Sequence, residues 1–323
     1  MSSTGASILV TRRWPEAVEN ALAKKFDVTF VNASLSRSQW QEAFSNYDAI
    51  CPCVTDRISA DLFPDTGIRT KLLANYGVGY NHIDLEAARS RNILVSNTPG
   101  VLTDATADLA MTLLLMLARR AGEGERQLRS GNWHGWYPTH LMGTMITGAT
   151  LGIVGMGRIG MAMARKAHYG FGMQILYHNR SIVDDACVSE MKAEYFSELD
   201  DMLGRADFVS LHCPGGKNTH HMMDAGRFAC MQSHAYLINT ARGDVIDEAA
   251  LVEALGKGQL AGAGLDVYED EPKVSPGLAN MENVVLLPHL GSATTVTRTA
   301  MGMRVLANLE AFFSGRELPD RVV

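Results

Sequence analysis

The chain has 323 residues, and its 29 Lys and Arg against 35 Asp and Glu give a formal net charge of −6. With 46% hydrophobic and 20% charged residues it is excluded from the disordered class, and its length predicts two domains. The acidic balance, without a Lys/Arg run, excludes nucleic acid as the main partner, because phosphate binding needs a concentrated basic surface.

In chain order, the segment Met1–Ser7 has no basic stretch, and only three apolar residues, Ile8–Val10, follow it. No secretory signal is expected there. Short β-branched runs then predict strands at Ser7–Val10, Val28–Val31, Ala49–Val54, Leu72–Asn75 and Ile93–Ser96, with helices at Pro15–Lys25 and Ser38–Ser45 between them. A long helix is predicted from Thr103 to Arg120, after the Pro99-Gly100 turn. Its most apolar part, Leu109–Ala118, is about half of what a membrane span needs, so no membrane association is expected. Strands resume at Thr150–Val154, Gln174–Tyr177, Phe208–Cys213, Ala235–Asn239, Gly262–Val267 and Val284–Leu287, and a last helix covers Thr294–Phe313. Strands alternating with helices predict an α/β fold of two doubly wound parallel-sheet domains, the second with the six strands of a dinucleotide-binding sheet. The five cysteines Cys51, Cys53, Cys187, Cys213 and Cys230 are odd in number, and Cys51-Pro-Cys53 lacks zinc-site spacing. They predict reduced thiols in the cytoplasm and no metal.

Gly155-Met-Gly157-Arg158-Ile159-Gly160 is a G-x-G-x-x-G that follows an apolar strand and opens a helix predicted over Met161–Tyr169. In that context Gly155 permits the tight turn, Gly157 lets the backbone approach a pyrophosphate, and Gly160 lets helix and strand pack closely. The next strand runs into His178-Asn179-Arg180-Ser181 rather than into a carboxylate that would bind a ribose 2′-hydroxyl. Neutral Asn179, the forked guanidinium of Arg180 and the Ser181 hydroxyl suit a 2′-phosphate, so NADP(H) is the preferred cofactor and NAD(H) a possible one. A surface role for Arg180, or stacking on adenine, stays open.

Three segments place polar residues just past strand ends: Asn239-Thr240-Ala241-Arg242-Gly243, Asp266-Val-Tyr-Glu-Asp-Glu271-Pro272 and Pro288-His289-Leu-Gly291-Ser. Ligands in such sheets bind outside the carboxyl ends of the strands. Reduction of a 2-keto acid needs a cation for the carboxylate and carbonyl, an acid for the carbonyl oxygen, and a carboxylate to hold that acid protonated. Arg242, His289 and Glu271 suit these roles in turn. The remaining histidines, among them His212, His220, His221 and His234, read as structural.

Together these segments, with Asn75-Tyr76-Gly-Val78-Gly79, Ile83-Asp84 and Leu211-His-Cys-Pro214, closely resemble the D-isomer-specific 2-hydroxyacid dehydrogenase family over nearly the whole chain. The resemblance implies Arg242, Glu271 and His289 as the catalytic set, with His289 the proton donor. It implies a substrate site using the amides around Val78 and Gly79, with Val54 and Tyr76 nearby and Arg242 and His289 completing it. It implies cofactor contacts at Thr106, Gly155, Gly157, Arg158, Ile159, Gly160, His212, Pro214, Thr240, Ala241, Asp266 and Gly291. The implied architecture is a flavodoxin-like substrate domain, residues 1–99 and 292–323, and a Rossmann cofactor domain, residues 100–291, with the site in the cleft between. A homodimer is implied, with the aromatic segment Trp133–Tyr137 reaching toward the partner and Trp136 in question at its site. Asn179-Arg180 resembles the NADPH-preferring glyoxylate and hydroxypyruvate reductases, and reduction of small 2-keto acids is the expected activity. D-lactate, 2-ketogluconate, phenylpyruvate and phosphoglycerate specificities are the alternatives, with a dinucleotide-sensing, corepressor-like protein behind them. The expected absence of a C-terminal regulatory domain weighs against phosphoglycerate, and Glu271 in place of glutamine weighs against formate oxidation.

Overall fold

The computed structural model describes residues 5–323; residues 1–4, which open the segment searched for a secretory signal, lie outside the described residues. The chain divides into two units, Met1–Leu102 with Ala293–Val323, and Thr103–Ser292.

In the first unit five parallel strands, β1 (Ser7–Val10), β2 (Asp27–Phe30), β3 (Ala49–Cys51), β4 (Leu72–Ala74) and β5 (Leu94–Ser96), lie in the order β2-β1-β3-β4-β5. That is the flavodoxin-like order, with its reversal between β1 and β3. Successive side chains on a strand face opposite sides. Accordingly Ile8, Val10, Leu72 and Ala74 enter one core with Val18, Leu22, Val305 and Leu309, while Leu9, Ile50, Leu73 and Val95 enter a second with Trp40, Phe44 and Ile58. Each such fully buried aliphatic side chain contributes about 1.5–3 kcal/mol. The helix Arg37–Asn46 starts at a capping box, in which the Ser36 hydroxyl accepts from the Gln39 amide and the Gln39 side chain from that of Ser36. β3 stops at Cys51, short of the expected Val54, where Pro52 breaks the run of amide donors; pairing resumes only as a bridge between Cys53 and Tyr76. The helix Thr295–Phe313 closes this unit, and the hydroxyl of Thr294 caps it by accepting from the Thr297 amide.

The second unit holds seven parallel strands, one more than expected: β6 (Thr150–Val154), β7 (Gln174–His178), β8 (Glu194–Phe196), β9 (Phe208–Leu211), β10 (Tyr236–Asn239), β11 (Gly262–Leu265) and β12 (Val284–Leu286). Their order is β12-β11-β10-β9-β6-β7-β8, a Rossmann order whose switch point lies between β6 and β9. β8 is the strand sequence reading misses, because three residues at a sheet edge carry no period to detect. Leu151, Ile153, Ile175, Tyr177 and Phe208 face one core, and Val154, Leu176, Val209, Leu211 and Leu237 the other. The helix expected over Thr103–Arg120 ends at Ala118; Arg120, with φ 49°, turns the chain into a separate helix, Ala121–Arg129, that buries none of its residues. No helix among the described residues is long and apolar enough to cross a membrane.

Candidate active site

Because all seven strands are parallel, the segments after β6, β7, β9, β10, β11 and β12 emerge at one edge of the second sheet. Gly155, at φ 95°, makes the turn out of β6. Its amide donates to the His178 carbonyl (3.0 Å), and the Met156 amide to Asn179 Oδ1 (2.7 Å). Gly157 caps the helix Arg158–Phe171, which begins three residues earlier than predicted. The first amides of that helix have no intrahelical acceptor and point out of its positive end. A Cβ on Gly160 would lie 2.2 Å from the Gly155 carbonyl oxygen, so glycine there is imposed by packing. A Cβ on Gly157 would meet no atom within 4 Å, so this protein's own packing does not require glycine at that position.

Past β7, Asn179 is partly committed: its Oδ1 holds the glycine turn and its carbonyl accepts from the Tyr195 hydroxyl (3.2 Å). Arg180 and Ser181 are exposed, and Arg180 has no ion pair or hydrogen bond among the described residues. Past β9, His212 Nε2 pairs with Ser210 Oγ (2.9 Å), and burial lowers the imidazole to about 4, so the ring is neutral at pH 7. His212 Nδ1, Thr240 Oγ1 and Asp244 Oδ1 are closed off from solvent and lack a hydrogen-bond partner. Native structures rarely leave such atoms orphaned. Three of them at the ends of β9 and β10, beside the open cradle over Gly157 and the helix terminus, fit a nicotinamide dinucleotide.

The catalytic candidates are held by backbone hydrogen bonds from buried side chains. Asn239, the last residue of β10, accepts from the Ala241 amide (2.9 Å) and donates to the Arg242 carbonyl (2.8 Å). Arg242 Nη1 donates to the Ala241 carbonyl (2.6 Å). Burial pulls its guanidinium down from the ordinary value, opposed by the charges of Glu271 and Asp244. Asp266, the residue after β11, is buried; its Oδ1 accepts from the Leu290 amide (2.6 Å), its Oδ2 from the Gly291 amide (2.8 Å) and its carbonyl from His289 (2.9 Å). Burial pushes this carboxyl up, against the pull of those amides and of His289. The clamp holds His289 at φ 54°, a conformation costing a non-glycine residue about 1–3 kcal/mol. His289 Nδ1 thereby meets Glu271 Oε2 at 2.9 Å, while Glu271 Oε1 accepts from the Tyr268 amide (3.1 Å). Burial raises the Glu271 carboxyl, but its hydrogen bonds and the charges of His289 and Arg242 outweigh that and hold it below the usual carboxylate range. His289 Nε2 has no partner among the described residues.

The expected cofactor contacts thus divide. The glycine turn, Arg158, Ile159, His212, Pro214, Thr240, Ala241 and Gly291 all lie on this edge. Asp266 spends its carboxylate on the 289–291 turn, and the Thr106 hydroxyl donates to the Gly291 carbonyl (3.1 Å). Asn239, Ser210 and Asp244 are residues that sequence reading passed over. Asn239 stood inside a quoted motif, and its place at a strand end before an arginine was the available signal.

In the first unit, Asn75 Nδ2 donates to the carbonyls of Gly77 and Gly79 (3.0 Å each), and Asn97 Nδ2 to that of Val78 (2.8 Å). The Val78 and Gly79 amides are left without acceptors among the described residues, two adjacent donors suited to an anion. The Tyr76 ring lies 4.6 Å from that of Trp14, tilted 32° to it, and its hydroxyl donates to the Arg298 carbonyl (2.6 Å); burial pushes the phenol to about 12. Val54 is half-buried on the loop after β3.

Comparison with known proteins gives a match of residues 111–291 to the family model described as D-isomer specific 2-hydroxyacid dehydrogenase, NAD binding domain. The glyoxylate reductase of Thermococcus litoralis is 43% identical over 322 residues, covering 98% of this chain and 96% of that protein. A structure from Thermus thermophilus superposes with a TM-score of 0.90 at 42% identity, covering 98% of this chain and 100% of that one. The NADPH-dependent glyoxylate/hydroxypyruvate reductase of Sinorhizobium meliloti, in complex with NADP and malonate, does so with a TM-score of 0.87 at 35% identity, covering 98% and 97%.

Proposed function

Because this chain belongs to the D-isomer specific 2-hydroxyacid dehydrogenase family and is an NAD(P)-dependent oxidoreductase, we propose that it reduces small 2-keto acids, glyoxylate to glycolate and hydroxypyruvate to D-glycerate, with NADPH preferred. The observation that carries the reading is the Glu271–His289 pair standing with Arg242 at neighbouring strand ends. Arg242 pairs with the substrate carboxylate and polarises the C2 carbonyl, a task its planar guanidinium performs while always charged. Glu271 engages Nδ1 and fixes the ring, which leaves Nε2 to deliver a proton to the carbonyl oxygen. The chemistry a bound reduced nicotinamide supplies is the hydride that C2 receives. NADPH preference rests on Arg180, exposed and unpaired with no carboxylate from His178 to Ser181.

The same proposal includes a homodimer. Leu128, on a helix that buries nothing, and Trp133 and Trp136 shortly after it are 61%, 50% and 79% exposed, apolar surface that partner contact would cover. It also includes a reducing, cytoplasmic setting, in keeping with five free cysteines.

The test is initial rates with glyoxylate and hydroxypyruvate, each with NADPH and NADH. Fast turnover with NADPH alone supports both the reaction and the cofactor preference. Fast turnover with NADH overturns the preference, and turnover only with bulkier keto acids overturns the substrate. Dinucleotide binding without turnover on any keto acid favours a sensor.

A further inference from the structure

The loop after β9 carries two consecutive histidines that the reductive chemistry does not use. We propose that His220, His221 and Glu269 form a binding site for a divalent transition-metal ion, with Zn²⁺ as its probe. One donor atom from each of the three side chains lies within 4.8 Å of the others. Adjacent side chains on extended backbone point to opposite sides. Here His221 sits at φ 49°, in the left-handed region, and the two rings lie on the same side with centroids 4.0 Å apart, tilted 58° to one another. The His220 ring makes no hydrogen bond among the described residues, so its donor nitrogens are uncommitted. His221 Nε2 already points at Glu269 Oε1, 2.7 Å away, and its Nδ1 faces Asp247 Oδ2 at 4.0 Å.

The donor set selects the class of ion. Two imidazole nitrogens and one carboxylate oxygen suit zinc and its transition-metal neighbours, whereas calcium and magnesium take oxygen ligands. Zn–N and Zn–O bonds of about 2.0–2.2 Å put tetrahedral donors about 3.4 Å apart. The ion would take the place of the proton shared between His221 and Glu269, opening that pair by about 0.7 Å. His220 and Glu269 are exposed and can turn inward, and water fills the fourth position. Asp247 stands where an outer carboxylate orients a ligating imidazole through its second nitrogen.

The position gives the ion a mechanical role. The His221 amide donates to the Asp244 carbonyl (2.8 Å), two residues beyond Arg242, and Glu269 lies two residues before Glu271. Coordination would therefore clip the loop after β9 to the segment that carries the catalytic carboxylate.

The experiment is calorimetric titration of the full-length protein with ZnCl₂ in a non-coordinating buffer, with thermal unfolding alongside. The proposal expects one site and a higher Tm with zinc. His220→Ala and Glu269→Gln should each weaken zinc binding by at least about 10-fold and abolish the Tm gain, while keeping the metal-free Tm. His289→Ala should leave the uptake intact, which separates this site from the reductive one. No zinc uptake, or uptake unchanged in His220→Ala and Glu269→Gln, overturns the proposal. The readout is heat, so the result stands whether or not the chain reduces glyoxylate.

Discussion

Alanine placed in turn at Gly155, Gly157 and Gly160 separates the three uses of glycine in one turn. At Gly160 the new Cβ would sit 2.2 Å from the Gly155 carbonyl oxygen and 3.0 Å from Ile153 Cγ2, with backbone on one side and a fully buried side chain on the other. Overpacking of that kind costs about 3 kcal/mol, which for a unit of this size lowers Tm by about 6–12 °C. At Gly155 the Cβ would meet Cys213 N at 2.8 Å and His212 C at 2.9 Å, and φ 95° adds a left-handed penalty. Together these cost about 2–5 kcal/mol. At Gly157 nothing lies within 4 Å and φ is −83°. Alanine is a poorer cap than glycine by about 0.5–1 kcal/mol, and stiffening the unfolded chain returns about 0.4–1. Gly157→Ala should therefore melt within about 4 °C of the parent, yet bind dinucleotide at least about 10-fold more weakly, because the methyl occupies the approach of the phosphates. Circular dichroism melts and calorimetric titration with NADPH read the two effects apart. If Gly157→Ala melts as early as Gly160→Ala, or binds NADPH as tightly as the parent, the assignment of that open cradle to a ligand is wrong.

Glu271 Oε2 meets His289 Nδ1 at 2.9 Å and so fixes the ring that carries Nε2. Glu271→Gln should lower kcat about 10- to 1000-fold while leaving the KM for NADPH within about twofold; a kcat within about twofold of the parent refutes a role for that pair in turnover. Burial lowers His212 from 6.5 to about 4, so between those values the unfolded chain takes up a proton that the folded one refuses, and stability falls as pH drops. His212→Asn should lose about 3 kcal/mol less on going from pH 7 to pH 4 in denaturant titrations, and equal losses refute a buried neutral ring. Arg180→Ala should raise the KM for NADPH at least about 10-fold while leaving that for NADH within about twofold. Equal effects on both would make Arg180 a surface charge.

What the sequence determined by itself is whatever depends on near neighbours. β1 and β6 begin and end where the apolar run and its flanking residues put them, because such a run is a property of four or five consecutive residues. The glycine turn was legible for the same reason, since Gly155, Gly157 and Gly160 act within six residues. The strand ends past β10, β11 and β12 could be lined up because a parallel sheet puts every carboxyl end on one edge. Tertiary structure decided how those ends are held. Asp266 reaches across 24 and 25 residues to the Leu290 and Gly291 amides, and Thr106 across 185 to the Gly291 carbonyl. No local pattern names those partners. The left-handed backbone of His289 is equally hidden, since histidine does not prefer it and only the Asp266 clamp imposes it. The meeting of His220 and His221 with Glu269, and the orphaned atoms of His212, Thr240 and Asp244, arise in the same way. A hydrogen bond or a burial is fixed by where two distant segments come to lie, and only the packed chain brings them together.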